Sequence, residues 1–191
     1  MKVFLEVFFR RLFPNQERKL ELHVFRGKPD LLGKLGTRLR SYAKVLQPNW
    51  RLIVLVDRDG DDCRALKQSL NELAQQAGLQ VKDASTPVSW QVATRIVVEE
   101  LEAWYFGDWE AVRAAYPRVP ASIPKNKKFR DPDAITGGTC EAFEREMQEA
   151  GYFRSGLRKI ELASELATRM NLDPAKNRSR SFRNLIALFG S

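Results

Sequence analysis

Along this chain the apolar positions change period several times, and each change predicts an element. In VFLEVFFRRL, residues 3–12, Phe4, Val7, Phe8 and Leu12 recur at three- to four-residue intervals, the spacing of one helical face. LELHVF, Leu20 to Phe25, alternates apolar and polar and predicts a strand. After Gly27-Lys28-Pro29 the helical period returns from Asp30 to Leu46, with Leu31, Leu32, Leu35, Leu39 and Tyr42 on the inner face. RLIVLV, Arg51 to Val56, does not alternate; a continuous β-branched and leucine run is what a strand covered on both faces requires. Asp61 or Asp62 then offers a cap for a helix through about Ala77, closed by Gly78. LQVKDA predicts a short strand, Thr86, Pro87 and Ser89 a loop, and QVATRIVV a second buried strand leading into EELEAWYFGD.

Strands alternating with helices at this spacing predict an α/β fold, a parallel sheet flanked by helices. From Asp108 onward the pattern turns helical, with short helices expected over 108–115, 139–150, 156–170 and 179–189. Pro117, Pro120 and Pro124, then Gly137-Gly138, separate the first of these from the second. The expected organisation is an α/β part over residues 1–115 and a basic helical C-terminal part over 116–191 packed on it.

Composition narrows the chemistry. With 191 residues, 43% hydrophobic and 29% charged, the chain is long enough to bury a core and has the balance of a globular protein. No apolar run approaches the roughly 20 residues that span a bilayer. Lys2, Glu6, Arg10 and Arg11 interrupt the apolar beginning, which argues against a signal peptide and for a cytoplasmic location. Cys63 and Cys140 match no zinc spacing, and His23 is the only histidine, so a zinc site and a histidine-based triad are both disfavoured. A metal would be held by carboxylates, which selects Mg2+, Mn2+ or Ca2+.

The net charge is +8, and the excess is clustered. Arg118, Lys125, Lys127, Lys128 and Arg130 stand in a stretch without an acid, as do Lys176, Arg178, Arg180 and Arg183 near the end. Grouped positive charge attracts phosphate backbones, so nucleic acid is the expected partner.

Against this basic background, DRDGDD follows the RLIVLV strand. Parallel sheets place working residues just beyond the carboxyl ends of their strands. Two more residues of extended backbone would send Asp57 and Asp59 to the same side, the arrangement a hard cation needs. Gly60 permits the turn, and Asp61 and Asp62 suit the following helix N-terminus. An EF-hand fits poorly, because the position for its bidentate glutamate is Gln68. A phosphate-accepting aspartate would need a basic partner that the sequence does not identify, and a plain acidic turn needs nothing. A second acidic group, Glu99, Glu100 and Glu102, ends the other buried strand; Glu99 and Glu102 would share a face if the helix has begun. Trp104 and Tyr105 read first as core, and stacking on a base is the lesser alternative.

These residues carry a resemblance. VDRDGDDC, RIVVEELEAWYFGDWEAV, AYPRVPASIP and NRSRSF together resemble a Toprim-like family of unknown function that includes the effector nuclease of the PARIS anti-phage system. The resemblance runs from about His23 to Phe182. It implies a Toprim-like sheet, a metal-dependent nuclease with Mg2+ (or Mn2+), and a role in anti-phage defence. It assigns Asp57 and Asp59 to the metal and Glu102 to catalysis, with Glu99 and Glu100 as further carboxylates near the metal. Transfer RNA as substrate and a larger sensor protein as partner are implied by relationship alone.

One feature departs from the family. Toprim domains open on a strand ending in a glutamate general acid or base, whereas this sequence opens directly on the helix that should follow it. Glu6 lies within that helix and is no substitute. Loss of such a group typically slows a reaction by about a hundredfold to ten-thousandfold. The expectation is therefore double: a nuclease in which Lys125, Lys127, Lys128, Arg178, Arg180 and Arg183 steer phosphate, or a catalytically idle subunit that binds nucleic acid or a partner, with self-association through an open sheet edge conceivable. A phosphatase or nucleotide-handling enzyme ranks last, for want of a glycine-rich phosphate loop. In SRSF, residues 179–182, Ser179 reads first as a helix cap and second as a phosphate contact.

Overall fold

The computed structural model describes residues 1–15, 18–83 and 89–190. Among these the fold is mixed α/β and mostly helical, with eight α-helices and one two-stranded parallel sheet. The chain divides into two compact units. Among the described residues, one comprises those within 1–24 and 99–189, the other those within 25–98 together with Gly190. The first unit thus gathers helices from both sides of residue 115.

In chain order the elements are α1 (Lys2–Leu12), α2 (Gly27–Ala43), β1 (Leu52–Asp57), α3 (Cys63–Gln76), β2 (Val92–Val97), α4 (Glu102–Gly107), α5 (Trp109–Ala115), α6 (Thr139–Glu149), α7 (Lys159–Arg169) and α8 (Arg180–Ile186).

The second unit holds the sheet. β1 and β2 pair in parallel from Leu52 opposite Val92 to Asp57 opposite Val97, so both strands end together. Leu31, Leu35 and Leu39 of α2 and Leu66, Leu70 and Ala74 of α3 recur every four residues and meet Val54, Val56 and Val92 of the sheet in one core. Each such leucine contributes about 1.5–3 kcal/mol when fully buried. α2 starts at Gly27, earlier than the punctuation suggested. Its Pro29 lies in the first turn, where the missing N–H costs no hydrogen bond. It ends at Ala43 rather than Leu46.

Two expected strands do not form. Leu20 to Phe25 has no ladder partner among the described residues, and Glu21, His23 and Val24 are exposed. Alternation alone supplies no pairing energy, and the segment joins no sheet among the described residues. LQVKDA contributes a single parallel bridge, Val81 to Val92, supported by the Lys82 N–H on the Val92 carbonyl at 2.8 Å. Thr86 and Pro87 of the expected loop, and Ala84 at the end of LQVKDA, lie outside the described residues.

The first unit is organised around α4. All six of its residues are buried, as a helix without a polar face must be. Trp104 packs on Phe4 and Phe182 with ring centroids 5.6 and 5.4 Å away, and Phe106 stacks on Phe129 at 4.8 Å. α1 lies along α7, where Arg11 donates to the Ala167 and Met170 carbonyls at 2.6 and 2.9 Å and satisfies the end of that helix. Asp108, nearly fully buried, caps α5 through the Ala111 N–H and also accepts from the Asn171 N–H at 2.7 Å.

Candidate metal and nucleic-acid site

The acidic loop of the second unit is built by the end of the sheet. The Arg58 N–H reaches the Val97 carbonyl at 3.0 Å and extends the ladder one residue past Asp57. The backbone then leaves the extended region: Asp59 has φ +48 and Gly60 φ +82. Aspartate tolerates this left-handed conformation better than most residues, and glycine adopts it freely. The Asp61 N–H closes the turn on the Arg58 carbonyl at 3.1 Å. Asp62 takes the cap, accepting from the Ala65 N–H at 2.7 Å. Strand geometry therefore does not carry Asp59 to the same side as Asp57, as an extended continuation would have done.

Where Asp59 and Asp61 turn is toward Lys28. Its ammonium stands 2.8 Å from Asp61 Oδ2, 3.3 Å from Asp59 Oδ2 and 2.5 Å from the Arg58 carbonyl oxygen. The Lys28 side chain is 13% exposed, against 54% and 52% for the two aspartates. Burial pulls its pKa down, but the hydrogen bonds and charges of Asp61 and Asp59 outweigh this and raise it. The basic partner that sequence reading did not find is thus Lys28. Its one linear signal is a lysine in the first turn of a helix, where the dipole disfavours a cation.

The second acidic group is built into the first unit. Glu99 stands before the helix at φ +60, and α4 begins only at Glu102, so these two do not share a helical face. Glu100 is the residue that meets Glu102. Glu100 Oε2 accepts from the Cys140 N–H at 2.8 Å and the Thr139 hydroxyl at 3.2 Å, at the N-terminus of α6, where a carboxylate complements the dipole. Ligand-type atoms of Glu100, Glu102 and Cys140 lie within 4.8 Å of one another. Glu102 is 6% exposed, and burial raises its pKa despite its own N–H, Lys159 and the Met1 amino group. Burial also raises the Cys140 thiol, to which Lys159 hydrogen-bonds. Cys140 and Lys159 carry no sequence signal toward Glu102, since only the packing of α6 and α7 on the unit brings them there.

The two basic stretches come together within the first unit. Arg178 donates to the carbonyls of Phe106, Phe129 and Arg130 at 2.6, 3.3 and 3.0 Å, and Arg180 pairs with Asp131 at 3.2 Å. Arg178 is therefore engaged with backbone. Lys125, Lys127, Lys128, Arg130, Arg180 and Arg183 remain exposed around it. Ser179 caps α8 through the Phe182 N–H and donates to Asp133 at 2.7 Å. Ser181 accepts from the Trp104 indole and Asn177 donates to the Trp104 carbonyl, both at 3.0 Å. NRSRSF is thus a buried clasp on α4, its arginines excepted.

Residues 1–188 match the model of a domain of unknown function, DUF4276, and the chain belongs to that family. No curated protein and no solved structure matches it. No helix among the described residues is long and apolar enough to cross a membrane.

Proposed function

We propose that this DUF4276 chain is a metal-dependent nuclease of Toprim type. Asp57 and Asp59 would hold Mg2+ or Mn2+ and nucleic acid would be the substrate. The observation that carries the reading is the register of the sheet. Two parallel strands end together at Asp57 and Val97, and the acidic loop begins at that edge, where α/β sheets bind ligands. In the turn that follows Asp57, the Arg58 carbonyl and the Asp59 and Asp61 carboxylates face the Lys28 ammonium; these are oxygen donors of the kind a hard divalent ion takes, and Asp57 is not among them. Such an ion, when bound, polarises a phosphoryl oxygen and lowers the pKa of water.

The chain's own residues account for the rest. Asp59 orients its carboxylate from a left-handed turn, and Asp62 anchors that turn to α3. Glu102 enters as a catalytic carboxylate on the family resemblance; burial lets it keep a proton to higher pH than an exposed glutamate. Glu100 sets the N-terminus of α6 beside it. Lys125, Lys127, Lys128, Arg180 and Arg183 supply exposed positive charge for the backbone of the substrate, with transfer RNA the class the resemblance favours. A role in anti-phage defence and a sensor partner belong to the same proposal.

A second reading, a catalytically idle subunit that binds nucleic acid or a partner, draws support from Lys28, which already neutralises part of the loop. Cleavage of labelled transfer RNA and of DNA in Mg2+ and Mn2+, by the wild-type chain and by Asp57→Asn and Asp59→Asn, separates the two. Metal-dependent cleavage lost in both variants supports the nuclease. Salt-sensitive binding without cleavage in any metal supports the idle subunit.

A further inference from the structure

α3 presents a second face besides the one it buries. Leu66, Leu70 and Ala74 turn into the core, while Arg64, Lys67, Gln68, Asn71, Glu72 and Gln75 line a cleft of about 420 Å³. Every residue lining it is polar, and its one acid, Glu72, accepts from the Gln68 amide at 2.8 Å. Among the described residues no carboxylate pairs with Arg64 or Lys67.

β2 meets this face at Thr94. That residue, 1% exposed, donates its hydroxyl to Asn71 Oδ1 at 2.6 Å, which leaves the N–H groups of the Asn71 amide to the cleft. The Thr94 carbonyl accepts from Lys67 Nζ at 3.3 Å and from Arg95 at 2.9 Å, so two cations meet at one neutral oxygen. Desolvation and the Arg95 charge lower the pKa of Lys67, and desolvation lowers that of Arg95. One lysine is enough to blunt a strand edge; a second cation at the same oxygen adds repulsion unless an anion joins them. Small-molecule sites are mostly apolar with a few polar groups, whereas a backbone phosphate is held by side chains such as Arg, Lys and Asn.

We propose that this face of α3 is a phosphate contact, in which Arg64, Lys67 and Asn71 hold one phosphate group of a nucleic-acid backbone and Arg95 adds charge. It gives the second unit a contact of its own with the polyanion that Lys125, Lys127 and Lys128 serve on the first. The occupant rests on the nucleic-acid reading above, and the phosphate site rests on the cleft.

The experiment measures binding of fluorescently labelled transfer RNA by anisotropy, in chelator and over a range of KCl, for the full chain and for Lys67→Met, Arg64→Met and Lys44→Met. Melting in inorganic phosphate and in KCl of equal ionic strength accompanies it. Lys67→Met and Arg64→Met should each bind several-fold more weakly and reduce the slope of log K against log salt by about 0.7–0.9. Lys44→Met, which removes an exposed lysine just past α2, should leave both unchanged. Inorganic phosphate should raise the melting point of wild type and not that of Lys67→Met. Lys67→Arg, which keeps the charge, should bind like wild type; a lysine that only blunts the strand edge would alter melting and not the slope. Wild-type affinity and slope in both Lys67→Met and Arg64→Met overturn the inference and leave the nucleic-acid reading to the other cations. Phosphate protection lost in Lys67→Met with unchanged transfer-RNA binding overturns the backbone occupant and assigns the cleft to free phosphate. A wild-type chain that binds no nucleic acid overturns the reading itself and the occupant with it, a failure seen without any variant. Should Lys67→Met fail to fold, Arg64→Met reads the same slope from an exposed side chain.

Discussion

The two acidic segments at the strand ends look alike on paper and are opposite in construction. Asp59 and Asp61 are more than half exposed, sit in a turn with left-handed backbone, and are balanced by one lysine. Glu100 and Glu102 lie in a packed environment of helix N-terminus, thiol and ammonium, and Glu102 opens a helix with no exposed residue. A carboxylate that water and a mobile cation can reach is free to change partners. One enclosed by fixed groups is bound into the stability of its unit. The first arrangement suits a site that gains and loses an ion, and the second a site that holds a proton or a fold.

That contrast can be tested by substitution, beginning with the strongest effect. Trp104→Ala removes the ring between Phe4 and Phe182 and the indole donor to Ser181, and should cost the first unit about 3–5 kcal/mol by denaturant unfolding. Asp133→Ala leaves the Ser179 hydroxyl and the Ser181 N–H without their charged acceptor, a loss of about 1.5–3 kcal/mol for such bonds. If either variant unfolds like wild type, NRSRSF is not the clasp described here.

Glu102 gives a pH test. Its folded pKa is raised by burial, so the folded state holds the proton more tightly than the unfolded chain does. Its contribution is therefore fully present below the unfolded value, near 4.5, and is lost as pH rises through the folded value. Glu102→Gln, which mimics the protonated form, should melt like wild type in acid and above it at neutral pH. The same slope in both proteins would remove Glu102 from the list of buried, proton-holding groups.

Smaller effects belong to the loop. Asp62→Ala deletes the cap of α3 and should cost about 0.5–2 kcal/mol. Asp59→Asn weakens one exposed ion pair, worth about 0–1 kcal/mol, so its melting point should scarcely move while metal-dependent cleavage disappears. A large loss of stability in Asp59→Asn would place this loop with the glutamate segment, and the comparison would fail.

Much of the local structure was legible in the chain. Helices were expected at α1, α2, α3, α5, α6, α7 and α8, α2 with its ends displaced, and β1 and β2 were expected as buried strands, because long periodic runs and capping residues act over a few neighbours. The burial of Trp104 and Tyr105 and the Ser179 cap were read in the same way. Strand pairing was not legible for Leu20 to Phe25, since a ladder needs a partner that alternation cannot name. The acidic candidates were readable as a list but not as an arrangement.

What the sequence determined by itself is therefore the elements and the two acidic groups at strand ends, both consequences of short-range periodicity and turn chemistry. What only tertiary structure decided is who faces those acids. Lys28 reaches Asp59 and Asp61 from α2, and Cys140 meets Glu100 across forty residues of chain. Charge partners of this kind are set by how helices pack, and packing depends on all the apolar faces at once rather than on any one stretch.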